Sequence, residues 1–220
     1  MKEKNVLNKY QKNFLDIFSK DNLSKNFYLT GGTALSAFYL KHRISEDLDF
    51  FSTKEFDLRS INIFLKANKK YLGYKKLTFT QSFNRNIYFI YYNNKHLLKI
   101  EFTYFPFDNL ERGLILNNLR IDSLLDIAVN KLFSIYQQTK ARDFVDLFFI
   151  CRKTKYTIND LIKKAQLKFD FSIDKLQLAK QFLLAREVKD YPKMLIKFDK
   201  KQIFDFYEKE AKNLAKEIIK

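Results

Sequence analysis

A chain of 220 residues, 46% apolar and 30% charged, holds enough apolar matter for one large core or two small ones and reads as globular. Its formal net charge of +16, from 41 Lys and Arg against 25 Asp and Glu, suits a polyanionic partner; an even spread of lysine from compositional bias gives the same excess. The single cysteine, Cys151, excludes an internal disulfide framework and a cysteine-based zinc site, no apolar run reaches the ~18 residues of a membrane span, and the opening KEKNVLNKY has no signal-peptide core, so the expected compartment is the cytoplasm.

In chain order, Val6, Leu7, Tyr10, Phe14, Leu15 and Phe18 recur at helical spacing and predict a helix over residues 4–20. Phe27–Thr30 predicts a short strand, broken by Gly31 and Gly32, after which Thr33–Leu40 predicts a helix. Leu48, Phe50 and Phe51 mark a second strand, and Asp57 is the expected cap of a helix reaching Lys69. Residues 74–80 and 86–92 are rich in β-formers and flank a turn at SFNRN; NNK at 93–95 turns into a strand over Leu97–Phe105, which Pro106 ends. Beyond Ile121 the alternation stops. Helices are expected over 123–138 with Asp122 as cap, over 141–152, from Thr157 onward, over 173–187 and over 201–219. The organisation predicted is an α/β domain over 1–115 followed by a helical domain over 116–220, with the change of character at 113–121.

The chemistry gathers in FYLTGGTALSAFYLKHRISEDLDFFS, residues 27–52. A strand, Gly31-Gly32-Thr33 and a helix bring backbone N–H groups close to an anion, with the Thr33 hydroxyl beside them; a tight strand–helix turn also calls for glycine on steric grounds alone. In a strand, residues i and i+2 point the same way, so Asp47 and Asp49 share one face while Leu48 and Phe50 take the other. Two like charges at an apolar strand repel, and a divalent cation removes that cost; a solvated strand entry is the alternative. In LLKIEFTYF, Ile100, Phe102 and Tyr104 face one way and Lys99, Glu101 and Thr103 the other. If this strand lies beside Asp47–Phe51, then Asp47, Asp49 and Glu101 converge as ligands for Mg²⁺, the metal that nucleotidyl transfer requires; hard oxygen donors and only two histidines argue against zinc.

The first block, GGTAL followed by RISEDLDF, resembles the nucleotidyltransferase superfamily, with its Gly-Gly helix start and Asp-x-Asp. A second block, DIAVNKLFSIYQQTKARDFVDLFFI, narrows the resemblance to the AbiEii/AbiGii (MenT-like) toxin family of type IV toxin–antitoxin systems, which carries a Lys on one helix and Arg-Asp-x-x-Asp-Leu on the next: here Lys131, then Arg142, Asp143, Asp146 and Leu147. The resemblance implies an α+β fold, a polymerase-β-like mixed sheet followed by a helical domain that completes the active site. It implies an NTP substrate with Mg²⁺ as cofactor, transfer to an acceptor hydroxyl with the tRNA 3′ end as the expected acceptor, and a cognate antitoxin as partner, with no membrane. In that scheme Asp47 and Asp49 hold the metal, with Glu101 as third ligand although Asp is commoner there. Gly31, Gly32, Thr33 and Arg43 contact phosphates, Lys131 neutralises the triphosphate and Asp143 assists the nucleotide or the acceptor. Arg142 and Asp146 are expected to tie two helices together, and His42 to flank the pocket or face solvent. The rivals are transfer to a protein or small-molecule hydroxyl, and a nucleic-acid-binding module with an inactive transferase fold.

Overall fold

The computed structural model describes residues 6–218, and these fall into two units. The first holds the chain up to Tyr39, Ile44–Asp108 and Arg112–Ser123; the second holds Leu40–Arg43, Asn109–Glu111 and the chain from Leu124 onward. The division falls later than the expected break at 115/116. The reason is a short hairpin: β6 (Ile115–Leu116) pairs antiparallel with β7 (Leu119–Ile121), and β7 pairs in parallel with β1 (Tyr28–Thr30), so residues 116–121 belong to the sheet. Gly113 permits this fold-back, since a Cβ there would lie 1.9 Å from the Ile121 carbonyl oxygen.

The sheet of the first unit is mixed, seven-stranded and ordered β3-β4-β5-β2-β1-β7-β6. Here β2 is Leu48–Ser52, β3 Lys76–Ser82, β4 Arg85–Asn93 and β5 His96–Tyr104. The predicted hairpins form β3–β4–β5, and β5 then runs parallel to β2, the adjacency that the three-carboxylate reading required. Helix α1 (Lys9–Lys20) starts later than expected because Asn8 caps it, accepting the N–H groups of Tyr10 and Gln11 while the Gln11 side chain returns to the Asn8 N–H; residues 4 and 5 of the predicted helix lie outside the described ones. Its buried face brings Phe14 and Phe18 onto Phe50 and Phe102 of the sheet and onto Phe64 of α3 (Leu58–Ala67), the helix that Asp57 caps. Each fully buried phenylalanine contributes about 2 kcal/mol, so this ring cluster is a substantial part of the unit's core. A one-turn helix, α4 (Lys69–Leu72), follows.

The second unit is helical: α5 (Leu124–Gln137), α6 (Ala141–Lys153), α7 (Ile158–Phe169), α8 (Lys175–Leu183) and α9 (Lys200–Ile218). Asp174 caps α8, and Thr157 with Asp160 forms a capping box at the start of α7, as the predicted start implied. Tyr207 of α9 is fully buried between Phe144 and Phe182, its hydroxyl donating to the Phe144 carbonyl at 2.7 Å. Asp126 and Lys168 form a wholly buried pair at 2.7 Å, and Asp126 also accepts the N–H groups of Leu110 and Glu111, which fixes that excursion of the chain to α5. Asp122, the expected cap of α5, gives its carboxylate to the Thr30 hydroxyl at 2.6 Å.

Candidate active site

Thr30, the last residue of β1, stands opposite Asp49 of β2. The chain then turns at Gly31 (φ 72°), in the left-handed region, to enter α2 (Gly31–Ala34), which widens into a π-helical stretch over Leu35–Leu40. A Cβ at Gly31 would lie 2.5 Å from Asp49 Oδ2. The glycine is therefore required twice: by the backbone conformation, and by the carboxylate that leans against the turn. Gly32 is buried within the helix. Thr33 departs from the expected phosphate contact: it is fully buried, and its hydroxyl donates to the Asp47 carbonyl. Gln11 works on the same loop, its side-chain amide donating to the carbonyls of Ser45 and Glu46 at 2.9 and 3.1 Å. Thr33 and Gln11 together fix the backbone that presents Asp47.

Burial along β2 alternates as predicted. Leu48, Phe50 and Ser52 are buried, and Asp49 and Phe51 face the other way. Asp47 shares the Asp49 side and keeps about a third of its side chain exposed (34%). Asp49 lies directly beside Glu101 on β5. The three carboxylates thus occupy one face, but Glu101 does not join the other two. Its longer side chain meets the guanidinium of Arg85 on β4, which donates to both oxygens at 2.6 Å, and it accepts the Thr103 hydroxyl at 3.0 Å. Burial pushes the Glu101 carboxyl up, and Arg85, Thr103 and Lys99 outweigh that and hold it below the usual carboxylate range. Lys99 sets its ammonium 2.9 Å from Asp47 Oδ2 and 3.8 Å from Glu101 Oε2.

The third-ligand expectation for Glu101 is therefore corrected. Among the described residues no three His, Cys, Asp or Glu side chains converge closely enough to hold an ion. What fits a divalent metal is the Asp47–Asp49 pair: two hard oxygen donors at the start of β2, both partly exposed, with the missing Cβ of Gly31 leaving room for Asp49. Two carboxylates are the usual protein share of a Mg²⁺ site that water and substrate phosphates complete.

The second unit carries a separate charged cluster around Asp146 of α6. Arg43 forks onto it, Nε to Oδ1 at 2.6 Å and Nη2 to Oδ2 at 2.8 Å. His42 Nε2 lies 2.8 Å from Oδ1 and the Lys131 ammonium 2.8 Å from Oδ2. Lys131, on α5, also donates to Asp143 at 2.6 Å. Burial would push the Asp146 carboxyl up, but the cations of Lys131 and Arg43 hold it well below its ordinary range. Burial likewise pulls the Lys131 ammonium down, and Asp146 and Asp143 more than reverse that. Three expectations change. Arg43 is 3% exposed and committed to Asp146, so it is no phosphate ligand in this state. His42 is buried rather than flanking a pocket. Arg142 is exposed, and the arginine that binds Asp146 is Arg43. A bend brings residues 40–43 to α6: Arg43 bridges to Met194, and His42 accepts the Leu195 N–H.

Sequence reasoning missed Lys99, Arg85 and Gln11. Lys99 was placed on the polar face with Glu101, so its meeting with Asp47 was within reach of the alternation. Arg85 needed the register of β4 on β5, which pairs Arg85 with Thr103 and leaves Glu101 one diagonal step away.

A family model described as "Nucleotidyl transferase AbiEii toxin, Type IV TA system" matches residues 13–210. The uncharacterized protein aq_aa25 of Aquifex aeolicus (strain VF5) is 30% identical over 175 residues, 76% of this chain and 79% of its own length. Among solved structures, JHP933 from Helicobacter pylori matches with a TM-score of 0.61 at 23% identity, over 94% of this chain and 90% of that one. MenT4, the nucleotidyltransferase toxin Rv2826c from Mycobacterium tuberculosis H37Rv, matches with a TM-score of 0.57 at 16% identity, over 92% and 82%. Both structural likenesses are likenesses of fold.

Proposed function

The chain belongs to the AbiEii family of type IV nucleotidyl transferase toxins, and from that premise we propose that it is a Mg²⁺-dependent enzyme that transfers a nucleotide from an NTP to the 3′ hydroxyl of an RNA, tRNA being the chief candidate. Its mixed sheet is the α+β fold expected of nucleotidyltransferases. Family membership also implies an antitoxin partner. The observation that carries the reading is the Gly31–Asp49 contact: a turn shaped around a carboxylate that shares its strand face with a second one.

In the proposed reaction the acceptor oxygen forms a bond to the α-phosphorus, the bond between that phosphorus and the α–β bridging oxygen breaks, pyrophosphate leaves and the hydroxyl gives up its proton. A bound divalent ion supplies charge neutralisation of the triphosphate and activation of the attacking hydroxyl. Asp47 and Asp49 hold it. Thr33 and Gln11 keep the Asp47 backbone in place, and Gly31, the partly exposed residue of the turn, is the backbone proposed to meet phosphate oxygens. In the second cluster Asp146 is fully buried, whereas the side chains of Lys131 and Asp143 keep 10% and 7% of their surface. Asp146 with Arg43 and His42 is thus the scaffold of this cluster, and Lys131 and Asp143 are its less buried members.

The net charge of +16 supports an RNA acceptor. Lys41, Lys153, Lys155, Lys163 and Lys164 are exposed and form the candidate phosphate contacts; the buried Arg43 leaves that set. The test is incubation with each radiolabelled NTP, Mg²⁺, and total cellular RNA or soluble protein. Label is expected at the 3′ end of small RNA with the wild type and not with Asp47→Ala. Label in protein alone would replace the RNA acceptor by a protein hydroxyl, and label in neither would overturn transfer to a macromolecule.

A further inference from the structure

Lys99 is the unexplained charge on the Asp47–Asp49 face. Its strand neighbours alternate, so its side chain emerges on the same side as Glu101, and the ammonium comes to rest 2.9 Å from Asp47 and 3.8 Å from Glu101. Arg85 already satisfies Glu101 through both oxygens, so the Lys99 charge is spent chiefly on Asp47. Both side chains of the Lys99–Asp47 pair are partly exposed, 26% and 34%, which makes the contact exchangeable rather than a buried structural bridge. A partly exposed pair of this kind contributes little to stability. Resting on the reading of Asp47 and Asp49 as metal ligands, we propose that Lys99 is a resident cation that competes with the divalent ion for Asp47, so that bare metal binds weakly and metal accompanied by nucleotide binds well.

The physical argument is one of charge. An ammonium on the Asp47 carboxylate must leave, or share it, when a dication arrives, and the two cations repel at close range. A lysine displaced from Asp47 needs another anion, and a triphosphate supplies one on the same face. Nucleotide and metal therefore favour each other's binding through Lys99, and the coupling is reciprocal.

The test is a titration of the full chain with MnCl₂ in the absence of nucleotide, free Mn²⁺ being read by electron paramagnetic resonance. Lys99→Met, which keeps the length and loses the charge, is expected to bind Mn²⁺ about five- to tenfold more tightly than wild type, the scale of one released ion pair plus a removed repulsion. Lys99→Arg, which keeps the charge, is expected to match wild type, and so is Lys95→Met, which makes the same net-charge change at an exposed position of the neighbouring turn. Asp47→Asn is expected to lose the binding. If Lys99→Met fails to give a native circular dichroism spectrum, Lys99→Gln takes its place with the same expectation. Unchanged or weaker binding in the Lys99 variant, with binding still lost in Asp47→Asn, would overturn the competition while leaving the metal assignment standing. An equal gain in Lys95→Met would reduce the effect to net charge and overturn it too. No Mn²⁺ binding by either wild type or the Lys99 variant would overturn both the inference and the metal reading beneath it.

Discussion

Gly31 separates stability from function at the scale of one residue. An alanine there meets φ 72° and places its Cβ 2.5 Å from Asp49 Oδ2. The backbone strain costs roughly 1 kcal/mol. The steric conflict is relieved by turning the Asp49 carboxylate away, which removes a proposed ligand. Gly31→Ala is therefore expected to melt only a few degrees below wild type while losing most of its transferase activity; thermal melts and initial rates on the same preparation check this, and full activity would contradict the role given to the turn. Asp146 gives the opposite balance. Asp146→Asn leaves Arg43 without its buried counter-charge, and a loss of about 3–5 kcal/mol is expected by urea denaturation. The same residue sets a pH dependence. Its native pKa lies below the unfolded value, so its stabilisation is present above about pH 3.9 and is lost as pH falls below that toward the native pKa. Lys131 has the reverse sign: its native pKa is raised, so its contribution is complete below about pH 10.4 and is lost as pH rises beyond it. Melts of wild type and Asp146→Asn should converge in acid. That Asp47 and Asp49 lie on the side opposite Leu48 and Phe50 was legible from alternation alone. The Arg43–Asp146 fork was not, because its partners stand over a hundred positions apart and only tertiary folding joins them.

Elements with a period long enough to count were legible at the next scale: α1, α3, α6 and the β3–β4–β5 hairpins stand close to where spacing and turn residues put them. The β6–β7 hairpin was not, since two- and three-residue strands carry no alternation to read. That gap moved the domain boundary, and Gly113 was the available clue. Its tight approach to the Ile121 carbonyl makes a direct prediction. Gly113→Ala should destabilise the first unit by about 1–3 kcal/mol through forced backbone displacement, read as a lowered urea midpoint. An unchanged midpoint would show that the hairpin does not depend on that close approach. The wide π-helical turn over Leu35–Leu40 also departs from the simple helix expected there, and nothing in its residue spacing announces it.

For the molecule as a whole, the basic excess was legible as a number but not as a surface. Part of it is internal: Lys168 and Arg43 are buried in ion pairs and meet no polyanion from outside. The exposed lysines that remain predict an RNA affinity that falls by orders of magnitude between about 50 and 200 mM salt if several phosphates are neutralised; filter binding with tRNA across that range checks it, and a flat response would remove RNA as the acceptor. Described residues contain no helix long and apolar enough to cross a membrane. The central claim is that the Asp47–Asp49 pair makes this family member a metal-dependent nucleotidyltransferase, and the most direct test is the rate of label transfer from NTP as a function of Mg²⁺ in wild type and in Asp49→Asn. Saturable Mg²⁺ dependence is expected in wild type, and a rate at least about a hundredfold lower in Asp49→Asn at every Mg²⁺ concentration, with melting temperature preserved. Transfer by Asp49→Asn at the wild-type rate, or transfer by wild type that persists undiminished in excess chelator, would contradict it.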